Sequence, residues 1–166
     1  MRPVLALTRS RAEPLAADTL ATLARRGARS LGASWPPQAP VPDGRWHVRL
    51  RVEHDHDVWL LGWGAGAGID VHDHGEAGGA LAVVHGPLVE QRVRDGDRGD
   101  VARRVLHAGA VSTFAPGERH GVENRTTGAA LSLHVYSPPL ASMTFFDERG
   151  ESVRSEPVDL PGLWTT

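Results

Sequence analysis

The rhythm of apolar and polar positions changes near residue 44. Before it, Leu15, Leu20 and Leu23 recur at near-helical spacing with alanines between them, which predicts a helix over 13–30. Arg25, Arg26 and Arg29 fall toward the end of that helix, and Gly27 and Gly32 mark where it frays. Trp35 to Gly44 carries four prolines and reads as a linker. From Arg45 onward the period shortens to two. Trp46, Val48, Leu50 and Val52 alternate with Arg45, His47, Arg49 and Arg51, the pattern of a strand with one apolar and one polar face. Glu53–Asp57 is a polar turn, followed by strands over Val58–Trp63 and Ile69–His74 around a glycine-rich turn at 64–68. Ala80–His85 and Leu88–Val93 flank a Gly86-Pro87 turn, and Asp95–Asp100 is a polar loop. Val101–Leu106, Val111–Phe114, Gly121–Asn124 and Ala130–Tyr136 complete the strand series, with Met143–Phe146 a further candidate in a weakly patterned tail. Short strands separated by Gly and Pro turns predict a mainly all-β antiparallel barrel or sandwich with a helical front end, 1–44, packed on its outside.

Composition narrows the possibilities. The 166 residues suffice for one domain with a core, and 40% apolar and 23% charged residues are ordinary for a globular chain. No apolar run reaches the roughly 20 residues of a membrane span. Arg9 and Arg11 interrupt the start too early for a signal-peptide core, so the expected compartment is the cytoplasm and no membrane partner is expected. A net charge of −2 argues against a nucleic-acid partner. There is no lysine, every basic side chain being arginine. There is also no cysteine, so any metal must be held by nitrogen or oxygen.

One stretch offers such ligands. Residues i and i+2 of a strand share a face, so His72 and His74 aim two imidazoles at one point while Asp73 faces away. A third can come from His120, which follows the Pro116-Gly117 turn at the start of a strand. A lone His-x-His is weak evidence, and the chain holds a second, His54-Asp55-His56, in an acidic turn without a glycine-rich lead-in, where it reads as solvated. Glu76 raises a His-His-Glu alternative, but it follows the strand end at Gly75 and is expected to face solvent. His85 and His107 have no evident partners. Three histidines suit Fe(II) and would also hold Zn(II), Ni(II) or Cu(II).

Gly66, five residues, His72-Asp73-His74, then Gly86, with Pro116, His120 and Asn124 later, resembles the two-part signature of the cupin superfamily. Where many cupins carry a glutamate ligand, this chain has Gly78-Gly79, which points to a three-histidine site. From about Arg45 to Leu140 the chain resembles the thiol dioxygenases typified by cysteine dioxygenase. The matching strings are Trp63-Gly64, Val71–His74, His120–Asn124 and, most specifically, Ser132-Leu133-His134-Val135-Tyr136-Ser137-Pro138-Pro139. The resemblance implies a cupin β-barrel holding Fe(II) through His72, His74 and His120. It also implies a relay in which Tyr136 stands beside the metal, oriented by His134 and Ser132. An arginine on an early strand would bind a substrate carboxylate. Arg49 is the best match, and Arg45 and Arg51 share its strand face. In some animal relatives a cysteine is cross-linked to the relay tyrosine. Gly79 stands at that place here, so Tyr136 is expected to act unmodified.

The expected function is oxidation of L-cysteine by O2 to cysteine sulfinic acid. The arginine tilts the choice away from 3-mercaptopropionate or another small thiol, which is the alternative within the same chemistry. An alternative of a different class is a metal-holding cupin that binds or senses a small molecule without turnover. The expected partners are a small thiol and O2, and the expected state is a monomer or weak homo-oligomer.

Overall fold

A computed structural model describes residues 13–35, 42–93 and 101–158. The expected loop at Asp95–Asp100 and most of the proline-rich linker lie outside the described residues, as does the chain start. One helix, α1 (Ala17–Ser34), precedes eleven strands: β1 (Arg45–Val52), β2 (Asp57–Trp63), β3 (Gly68–Asp73), β4 (Gly78–His85), β5 (Leu88–Val93), β6 (Val101–Leu106), β7 (Val111–Phe114), β8 (His120–Glu123), β9 (Ala130–Ser137), β10 (Ser142–Phe146) and β11 (Ser152–Pro157). They form two antiparallel sheets, β1-β2-β9-β4-β7 and β11-β10-β3-β8-β5-β6. This is the mainly-β sandwich that the period-two patterning predicted. The weakly patterned tail is the exception, since it supplies a further strand, β11, whose side chains are exposed.

The helix runs four residues further than its spacing predicted, and neither glycine frays it. Leu20, Ala24 and Ala28 repeat every fourth residue and form the buried stripe. That stripe packs with Ala80, Ala82, Leu133 and Val135 on the outer face of the five-stranded sheet. Gly27 sits inside the helix because a Cβ there would come within 3.0 Å of Leu133. The glycine lets the helix approach the strand closely.

Strand β1 faces opposite to a simple apolar-in rule. Val48, Leu50 and Val52 are the exposed side chains. Arg45 and His47, on the other face, line a cavity between the two sheets. Strand β9 lies at the centre of its sheet between β2 and β4, and every one of its residues is buried. One core cluster, including Trp59, Trp63, Leu81, Leu88 and Phe114, fills the space between the sheets next to that cavity.

Candidate metal centre

His72 lies on β3 and His74 just beyond its end. His120 opens β8 and is the cross-strand partner of His72. Antiparallel pairing thus brings the third histidine to the first two, and all three side chains are buried. The candidate ligand atoms of the three rings lie within 4.8 Å of one another. His72 Nδ1–H donates to the Asp70 carbonyl at 2.7 Å, which turns its Nε2 inward. His120 Nδ1 lies 3.0 Å from Glu90 Oε1 and is held the same way. The Nε2 atoms of His72 and His74 are 3.2 Å apart, a separation that one metal ion bound to both would produce. Burial lowers the pKa of His72 and His74 well below the usual value, and the charge of neighbouring histidines adds to it. Neutral imidazoles with converging lone pairs are the form a divalent metal requires. The residues present therefore fit a metal ion.

The other sheet supplies the hydroxyls. On β9, Ser132, His134 and Tyr136 alternate onto the inner face and form one hydrogen-bonded series. Ser132 Oγ is 2.9 Å from His134 Nε2, and His134 Nδ1 is 3.1 Å from the Tyr136 hydroxyl. The Tyr136 ring centroid is 4.9 Å from that of His74, so the series ends beside the metal site. Trp63 Nε1–H donates to Ser132 Oγ at 2.9 Å. The direction of the series follows from the serine proton: Ser132 is fully buried, and among the described residues that proton has one acceptor in reach, His134 Nε2. The His134 proton then sits on Nδ1 and points at the Tyr136 oxygen, which leaves the phenolic proton free to point into the cavity. Burial raises the Tyr136 pKa, and the nearby Asp57 charge raises it further, so the phenol keeps its proton. Burial lowers His134 to about 3, so its ring is neutral.

The cavity beside these groups has a volume of about 420 Å³ and is lined by His72, Tyr136, Arg45, Trp59, Met143 and Arg154, among others. Arg49 does not line it. Its Nε lies 3.6 Å from Asp57 Oδ2, and its guanidinium stacks 4.6 Å over Trp59. The structure thus turns Arg49, expected to meet the substrate carboxylate, toward Asp57, and places Arg45 at the cavity. Arg49 faces the buried Asp57 carboxylate, whereas Arg45, on the same strand face, borders the cavity, with Glu156 in the same lining. Arg51 pairs with Glu53 at the surface.

The remaining histidines stay apart. His54 is 84% exposed, and His56 pairs with Asp55 at 2.7 Å. Glu76 is exposed, His85 is half-buried and His107 exposed, and none belongs to the three-ring cluster. Asn124, part of the second cupin string, donates to the carbonyls of Trp63 and Gly64 and so anchors the segment that carries the indole. Glu90, Trp63 and Asp57 had no role assigned from sequence. For Glu90 a signal existed, because it takes an inward position in the alternation of β5.

The family model for cysteine dioxygenase type I matches residues 41–149. Cysteine dioxygenase type 1 of Danio rerio is 31% identical over 103 residues, covering 56% of this chain and 50% of that protein. The Homo sapiens protein of the same name is 32% identical over 100 residues with the same coverage. The chain thus spans about half the length of the curated relatives it matches. Among solved structures, a recombinant oxalate oxidase in complex with glycolate superposes with a TM-score of 0.55 at 19% identity, over 67% of this chain and 58% of that one. A cupin-superfamily sugar phosphate isomerase from Silicibacter pomeroyi gives 0.51 at 24% identity, over 63% and 66%. These two likenesses show the fold. Because the matched segment runs through the strands bearing all three histidines and through the whole of β9, the chain belongs to the cysteine dioxygenase type I family of the cupin superfamily.

Proposed function

We propose that this chain is a non-heme Fe(II) thiol dioxygenase acting on a small carboxylated thiol, with L-cysteine the leading substrate. The observation that carries the proposal is the pairing of a three-imidazole cluster with a tyrosine that ends a hydrogen-bonded Ser132-His134-Tyr136 series and lines the same cavity. The reaction is balanced without a further reductant: a thiol plus O2 gives a sulfinic acid, and sulfur supplies the four electrons that O2 takes up. Its partners would be the thiol and O2. Reduced thiols persist in the cytoplasm, which fits the proposed chemistry. The catalytic unit would be the cupin domain from residue 45 onward, with the preceding segment packed behind it.

Each residue has a physical task. His72, His74 and His120 would hold Fe(II). When bound, the ion would supply the electron-transfer chemistry that lets O2 react with a thiolate. Arg45 would bind and orient the carboxylate through its planar, two-pronged donor set. Burial lowers the Arg45 pKa, but a guanidinium keeps its proton in proteins, so Arg45 stays a cation. Tyr136 would donate its proton to oxygen as negative charge builds there, and its raised pKa keeps that proton available. His134 holds the phenol by donating to its oxygen, and Ser132 and Trp63 hold His134. Leu61, Leu140 and Phe145 give the cavity an apolar wall that limits water around the reacting sulfur.

The test is anaerobic loading with Fe(II), then O2 uptake with L-cysteine and 3-mercaptopropionate in parallel, the sulfinate being measured by mass. Sulfinate formed from one thiol at a clearly higher kcat/KM supports the reaction and names the substrate. No uptake with either thiol at stoichiometric iron overturns the small-thiol reading in favour of a binding or sensing protein.

A further inference from the structure

We infer that Glu90 is a positioning residue that carries negative charge to the metal centre through His120 and is governed from the surface by Arg104. The inference rests on the metal site proposed above and not on its substrate.

Glu90 is fully buried, yet both of its oxygens have polar partners. Its Oε1 accepts from His120 Nδ1 at 3.0 Å. Ser112, also buried, donates to the carboxylate at 2.9 Å. Arg104 Nε donates to Oε2 at 2.8 Å, and Arg92 Nε lies 3.4 Å from that same oxygen. A carboxylate taken fully out of water needs such partners, because burying it unpaired is prohibitively costly.

The three candidate ligands are therefore not equivalent. His72 leans on a backbone carbonyl, and His74 Nδ1 is buried without a hydrogen-bond partner among the described residues. His120 alone of the three leans on an anion. A carboxylate accepting from the far nitrogen makes an imidazole more basic and fixes which nitrogen faces the metal. The neutral three-histidine set thus acquires anionic character at one remove. Arg104 is 49% exposed and Arg92 29%, so lines of contact run from solvent through Glu90 to His120 and the metal position, the more exposed of them starting at Arg104. Removing the anion and removing the surface cation should therefore shift the metal in opposite directions.

The experiment measures Co(II) affinity by chelator competition and the Fe(III)/Fe(II) midpoint potential in the full chain and in Glu90→Gln and Arg104→Gln. Glutamine keeps the size and an acceptor oxygen but removes the charge. The expected result is about a tenfold or greater loss of Co(II) affinity and a raised potential in Glu90→Gln. Arg104→Gln is expected to lower the potential with affinity kept or increased. A purely structural role for Glu90 gives no such opposition of sign. Equal affinities and potentials in folded wild type and Glu90→Gln overturn the inference while leaving the site standing. Absence of Co(II) and iron binding in the wild type overturns both. Should Glu90→Gln not fold, Arg104→Gln decides alone: a lowered potential supports the relay, and an unchanged one refutes it.

Discussion

The indole N–H of Trp63 donates to the hydroxyl of Ser132 across the β2–β9 boundary at 2.9 Å, and this contact holds the first member of the Ser132-His134-Tyr136 series in place. Without it, the Ser132 hydroxyl is free to turn away from His134, and the phenol loses the support that orients it. Trp63→Phe keeps most of the packing and removes the donor. The expected outcome is a fall in kcat of about tenfold or more with iron content unchanged. A parallel melting measurement should show a stability loss of only about 1 kcal/mol for the missing hydrogen bond, plus any packing change.

Tyr136→Phe deletes the end of that series. Turnover should drop by about 10²-fold, or O2 uptake should uncouple from sulfinate formation, while iron stays stoichiometric. Loss of iron in this variant would show that the hydroxyl serves the metal site structurally.

Arg45 and Arg49 separate by function. Arg45→Ala should raise KM for carboxylated thiols by about 10- to 100-fold, the worth of a charge-assisted hydrogen-bonded pair, and leave a thiol without a carboxylate unaffected. Arg49→Ala should instead lower the melting temperature, because it strips the buried Asp57 of its cation. Unchanged KM in the Arg45 variant, set beside raised KM in the Arg49 variant, would return the carboxylate to Arg49.

Metal-free protein should lose stability on acidification from pH 6.5 downward. His72, His74 and His134 bind protons less readily in the fold than in the unfolded chain, His134 titrating near 3. Each therefore contributes stability above 6.5 that is lost as pH falls, at about 1.4 kcal/mol per pH unit. Asp57 works against them. Burial raises it to about 6, despite the bonds it accepts and the charge of Arg49, so it gains a proton in the fold first between about pH 6 and 3.8. Melting curves across this range should fall more steeply for Asp57→Asn than for the wild type.

Gly79 has a tight neighbour. It is the cross-strand partner of Tyr136, and a Cβ there would fall 2.4 Å from the Phe114 ring. Gly79→Ala should cost about 1–3 kcal/mol through overpacking. Phe114→Ala in the same chain should recover part of that loss, which thermal melts of the single and double variants would resolve.

The two metal-bearing strings and the relay string were legible because period-two alternation fixes which side chains share a face, and His72, His74, Ser132, His134 and Tyr136 obey it. The strands from Arg45 to Phe146 followed from the same rule. The helix ended later than expected because Gly27 meets a packing need that only the neighbouring Leu133 reveals. The arginines on β1 share one face by sequence, and no local pattern says that Asp57 sits against Arg49. Glu90 depends on a pairing between β5 and β8 that no local pattern encodes, and β11 has no buried face from which to be recognised.

Strand β9 is laddered on both edges and covered on both faces, by the helix behind and the opposite sheet in front. Its amides can reach solvent only when the molecule unfolds as a whole, so they should be the last to exchange with deuterium. The exposed β11 can breathe without disturbing them. The hydrogen-bonded series is therefore set in the slowest-opening part of the protein, and local openings at the sheet edges leave it intact.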